Sequence, residues 1–144
     1  MSQLEETSGS EPVSDDEILY RRVSLKAGFY DPERSPSLSH AAFTPNRNDI
    51  EGLSLVRAKY ASVEEAAVGN PEALYFVAVL RTADLRREGM EIVPDPQRGQ
   101  PGHALITNLR FGNVRTPECK HWAKTLAHNF CLRIEGPFPR EPKP

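Results

Sequence analysis

Apolar positions are scattered along most of this chain, with one exception. Residues 73–80, ALYFVAVL, form its only run of eight apolar residues, between Asn70-Pro71 and Arg81-Thr82. Tyr75, Phe76, Val77 and Val79 suit a pleated surface. The run does not alternate with polar residues, so it predicts a strand covered on both faces. We read it as the central strand of a sheet.

Other segments show shorter periods. Residues 17–24, EILYRRVS, alternate: Ile18, Tyr20 and Arg22 share one face, and Leu19, Arg21 and Val23 the other, so each face carries one arginine. Residues 38–44, LSHAAFT, predict a second strand and residues 52–58, GLSLVRA, a third. Ser62 and Glu65 have the spacing of a capping box, which starts a short helix over 63–68. Thr82 is expected to cap a second one over 83–88, with Asp84 in its first turn and Gly89 at its end. Residues 90–93 and 103–109 predict two more strands around the polar loop 94–102.

Thr116-Pro117-Glu118 combines an N-cap, a proline at the first helical position and an acid in the first turn. Cys119, Trp122, Ala123, Leu126, Ala127 and Phe130 then recur at helical spacing as one apolar stripe. This helix is expected to cover one face of the run at 73–80. Trp122 is the side chain whose removal is expected to hurt most, by about 3–5 kcal/mol if it lies in the core. Residues 131–134 add a last strand. Together these elements predict an α+β fold: one small domain over residues 17–135, with a mainly antiparallel sheet and a C-terminal amphipathic helix packed on it.

Composition changes this picture mainly at the ends. Residues 1–16 are acidic and polar, too poor in apolar surface to offset the entropy of ordering, and are expected to be a disordered tail. Residues 136–144, GPFPREPKP, are expected to be an extended proline-rich tail. With 18 basic and 20 acidic residues the net charge is −2, which gives no electrostatic reason to expect nucleic acid. No apolar stretch approaches the roughly 20 residues of a membrane span, and the N-terminus lacks a basic-then-apolar leader. Two cysteines without a leader read as reduced thiols. A cytoplasmic location follows as the expectation.

Candidate chemistry is sparse. Cys119, His121, His128 and Cys131 do not have zinc-finger spacing, so no metal site is expected, and core cysteines with surface histidines is the better account. A His128–Cys131 nucleophile pair has no identifiable oxyanion donors or orienting acid. There is no Gly-rich phosphate loop and no GxSxG. A polar and aromatic group in the first half is more informative: Tyr20, Arg21 and Arg22, then Ser39, His40 and Phe43, then Ser54 and Arg57, then Glu64 and Glu65. If the first three strands pair, an arginine, a serine or histidine, and a glutamate converge. The candidate site residues are therefore Arg21, Arg22, Ser39, His40, Glu64 and Glu65. An arginine there would hold a phosphate and a carboxylate would orient a ribose hydroxyl.

The segments LYRR (19–22), SHAAFTP (39–45), GLSLVRAKY (52–60), VPDP (93–96) and GHALI (102–106) carry a resemblance. Over residues 17–108 the chain resembles a family of small, uncharacterised bacterial proteins with these motifs in this order. That resemblance implies a relative without an activity. More loosely, the order arginine, serine, glutamate is similar to that of ADP-ribosyltransferase-like folds, including RES toxins, although this chain has neither an S-T-S strand nor an E-x-E end. Two functions are thus expected. The first is a non-enzymatic binding or accessory module of a bacterial conflict or defence system, with another protein as partner and no cofactor. The alternative is a minimal NAD-consuming transferase.

Overall fold

A computed structural model describes residues 9–25, 28–68 and 73–138. Among these residues, six strands form one antiparallel sheet: β1 (Ile18–Ser24), β2 (Leu53–Arg57), β3 (Tyr75–Arg81), β4 (Ile92–Pro94), β5 (His103–Ile106) and β6 (Arg133–Phe138). Their order across the sheet is β4-β5-β2-β1-β3-β6. Three helices accompany them: α1 (Val63–Ala66), α2 (Thr82–Arg87) and α3 (Pro117–Thr125), which runs on into a π-helical turn, Leu126–Phe130. The fold is α+β, with a C-terminal helix packed on an antiparallel sheet.

The apolar run is β3, and Val77 to Leu80 are fully buried. It is covered on both faces. Ala78 and Leu80 join the main core with Leu19, Leu53, Leu55 and Ile106, under Cys119, Ala123 and Leu126 from the C-terminal helical segment. Val77 points the other way, into a small cluster with Ala67 and Phe138. The strand is not central, however: it lies second from one edge, and β1 and β2 hold the middle. Its unbroken apolar character reflects its two covers, which position within the sheet need not supply.

Several local expectations are corrected. Residues 38–44 do not form a strand: His40–Phe43 is a 3₁₀ turn whose N-cap Ser39 accepts the Ala41 N–H at 3.1 Å. Buried Ala42 and Phe43 anchor this turn in the core. Thr82 lies inside α2 and does not cap it; its hydroxyl donates to the Glu17 carbonyl at 3.0 Å. The strand read at 131–134 extends to Phe138, so Gly136, Pro137 and Phe138 belong to β6, not to a tail. Residues 139–144 of that expected tail, like Gly69, Asn70 and Pro71, lie outside the described residues. The acidic N-terminal segment is docked from residue 9 on, with Val13 buried in the core; residues 1–8 lie outside the description. No helix among the described residues is long and apolar enough to cross a membrane.

Candidate functional site

β1 pairs with β3 along all seven of its residues but meets β2 only at Leu19↔Arg57 and Tyr20↔Val56. Beyond that point the two middle strands part, and Arg21 bridges the gap. Its Nε donates to the Ala42 carbonyl at 2.9 Å and its Nη1 to the Ser54 carbonyl at 3.0 Å. The opening is a cavity of about 390 Å³, lined by Arg21, Arg22, Asn48, Ser54, Tyr75 and His103 among others.

Arg21 carries a charge, and the carboxylate that acts on it, that of Asp49, lines the same cavity without forming an ion pair with it. It makes no ion pair among the described residues. Burial pulls its guanidinium down to about 10, against the opposing pull of Asp49; it therefore stays protonated at neutral pH. Asp49 is itself fixed by the Asn46 N–H at 2.8 Å and is buried. Both hydrogen bonds of Arg21 use Nε and Nη1. No buried side-chain nitrogen or oxygen goes unpaired among the described residues. Nη2 donates no hydrogen bond among the described residues.

His103 stands on the cavity wall. β2 and β5 pair with Val56 opposite His103 and Ser54 opposite Leu105. Ser54 and His103 are therefore diagonal neighbours on one sheet face, and His103 Nε2 lies 3.0 Å from Ser54 Oγ. On the other side the Asp95 N–H donates to the His103 carbonyl at 2.8 Å, just past the end of β4, which brings the Asp95 carboxylate to 3.0 Å from Nδ1. The Asp95 backbone carbonyl is 3.2 Å from the same nitrogen. Both Asp95 groups are acceptors, so Nδ1 carries the proton. In the neutral ring Nε2 is then bare and accepts the Ser54 hydroxyl.

Of the six candidates from the sequence, only Arg21 and Arg22 line this cavity. Arg22 is exposed, lies 4.8 Å over the Tyr75 ring and donates to the Val68 carbonyl. Ser39 caps its 3₁₀ turn. His40 is exposed at the rim of a separate cavity with Lys120 and Lys124. Glu64 is exposed, and Glu65 closes the capping box of α1 by accepting the Ser62 N–H at 2.7 Å. Of the early polar group, the cavity gathers Tyr20, Arg21, Arg22 and Ser54, but none of Ser39, His40, Glu64 and Glu65. Arg57, grouped with them in sequence, does not line the cavity and holds the N-terminal segment instead. Cys119 is buried, and burial pushes its thiol up; His121 and His128 are exposed.

His103 and Asp95 were not singled out by the sequence. A histidine opening an apolar run in GHALI and an acid between prolines in VPDP were their only marks. A somewhat larger groove of about 440 Å³ lies beside Trp122, but its charged groups Glu91, Arg110 and Glu118 are exposed, solvated and of mixed sign. Comparison with protein-family models, curated proteins and solved structures gives no match to this chain.

Proposed function

We propose that the cavity between β1 and β2 binds a small molecule through an anionic group, and that the chain serves as a ligand-binding module. The observation that carries this is Arg21: a half-buried cation with no ion-pair partner among the described residues, held by two backbone carbonyls and lining the cavity. A guanidinium so placed is pre-organised for a phosphate or carboxylate, since its geometry is fixed before the ligand arrives. The motifs of the bacterial family that the chain resembles supply the surrounding groups: Arg21 and Arg22 from LYRR, Ser54 from GLSLVRAKY, Asp95 from VPDP and His103 from GHALI. Membership of that family is part of the same proposal. The ADP-ribosyltransferase alternative asks for a glutamate beside arginine and serine, and no glutamate among the described residues lines this cavity.

A protein-contact module is the second reading, favoured by Leu25 and Leu74, which join by a backbone hydrogen bond and stand exposed. Titration of the full chain with inorganic phosphate and with citrate, followed by amide NMR shifts, separates the two. Saturable shifts around Arg21, Ser54 and His103 are expected, weakened at least tenfold in R21Q and several-fold in R22Q. Shifts that are absent, or spread over surface lysines, would count against the cavity as a ligand site.

A further inference from the structure

We propose that Ser54 is a nucleophile, with His103 as its general base and Asp95 as the group that orients His103, and that the cavity hydrolyses a small carboxylic ester. The three side chains form a continuous chain of contacts, Oγ to Nε2 at 3.0 Å and Nδ1 to Oδ2 at 3.0 Å. This is the order in which acyl-transfer enzymes connect nucleophile, base and orienting acid, and such constellations are recognised by geometry and role rather than by chain order. Two of the residues sit on paired strands and the third at a strand end, a rigid setting for such a site. The His103 side chain is 10% exposed and that of Asp95 37% exposed, so the imidazole is shielded while the carboxylate is in contact with water.

The step balances without a cofactor. Ser54 Oγ bonds to the ester carbonyl carbon, and its proton passes to His103 Nε2. The imidazolium so formed is stabilised by the Asp95 carboxylate. The tetrahedral oxyanion collapses, the bond from carbon to the alcohol oxygen breaks, and that oxygen takes the proton from Nε2 and leaves as the alcohol. Water then attacks the acyl carbon, gives its proton to Nε2, and the carbon–Oγ bond breaks as Oγ recovers that proton. Ester and water become acid and alcohol. Arg21 holds the Ser54 carbonyl through Nη1 and meets the oxyanion with its positive charge. In this one respect the inference rests on the anion-binding reading; phosphate would then act as a tetrahedral mimic.

An alkyl fluorophosphonate tests it on the full chain. Ser54 Oγ should form a bond to phosphorus as fluoride leaves, giving one adduct that peptide mass mapping places on Ser54 and that S54A abolishes. H103Q should slow labelling at least 100-fold. D95N, at a side chain 37% exposed, should slow it at least tenfold, because an amide in place of the carboxylate no longer fixes the proton on Nδ1. Wild-type chain unlabelled at Ser54, or labelled at the same rate in H103Q and D95N, overturns the inference. Phosphate titration of S54A keeps the two proposals apart. Phosphate shifts without Ser54 labelling remove the nucleophile alone; labelling without phosphate shifts removes the anion site alone.

Discussion

Arg57 is wholly buried and charged, and its surroundings explain how. Nε and Nη2 donate to the two Glu17 oxygens at 2.8 and 2.7 Å, and Nη1 donates to the carbonyls of Gly9 and Glu11 at 2.9 and 3.0 Å. A buried ion pair is tolerated when such bonds saturate both partners, and removing one partner strands the other. Hydrogen bonding to Glu17 raises Arg57 above its ordinary value in spite of burial. Burial alone would push the Glu17 carboxyl up, but the bonds from Arg57 and the Ser14 N–H outweigh it and leave Glu17 lowered. Glu11 is held down at about 2 by bonds from Lys59 and Tyr60. Carboxyls lowered in the folded state add stability that is present above their ordinary value near 4.5 and lost as pH falls through the folded one. Urea unfolding should therefore show stability falling from about pH 4.5 downward. E17Q should cost about 3–5 kcal/mol at pH 7 and progressively less in acid, where the wild-type carboxyl is itself protonated. A penalty that does not shrink with pH would show that Glu17 acts by packing and not by charge.

Among the elements, α3 was the most legible and its start is as read: Thr116 accepts the Cys119 N–H at 3.2 Å and Pro117 opens the helix. All of those signals are local. What the helix presses on the core is not. Leu126 is fully buried, while Trp122 is half-buried and donates its indole N–H to the Glu88 carbonyl at 3.2 Å. L126A should thus cost about 2–5 kcal/mol, and W122F, which loses one partly exposed hydrogen bond, about 1 kcal/mol. Thermal unfolding that ranks W122F as the worse of the two would restore Trp122 as the anchor. The segment at 38–44 was misread for a related reason. Its serine, alanines and phenylalanine fit a strand about as well as a capped turn, and the choice is made by the burial of Phe43 in a core built from distant strands. The site was legible in its parts only. Ser54 and His103 are 49 positions apart and meet through the β2–β5 register; that register depends on which strands become neighbours, which the local pattern along the chain does not encode.

At the scale of the whole molecule, the acidic N-terminal segment acts as a strap, although its composition reads as disordered. Little apolar surface is needed to fix it because the attraction is supplied from elsewhere: Arg57 on β2 collects the carbonyls of Gly9, Glu11 and Pro12. Asp15 pairs with Arg86 at 2.7 Å and accepts the Ala83 N–H, so the same strap also reaches α2. Gly9 passes so close to the Pro101 carbonyl that a Cβ would come within 1.9 Å of it, and its φ of +89° is one that side chains disfavour. The strap therefore grips β2, the strand that also carries Ser54, and abuts the loop before His103. Deleting residues 1–16 would leave Arg57 with Glu17 but without its carbonyl acceptors, and would empty the Val13 position, whose burial is worth about 1.5–3 kcal/mol by itself. The truncated chain should lose at least about 3 kcal/mol in urea unfolding, with amide exchange quickening first along β2 and at its β5 partner. Because Arg57 and Val13 are themselves buried, 1 M salt should change that loss little beyond the share of the exposed Asp15–Arg86 pair. Equal stability of the two chains, or a loss that salt abolishes, would mean that the segment lies on the surface without holding it.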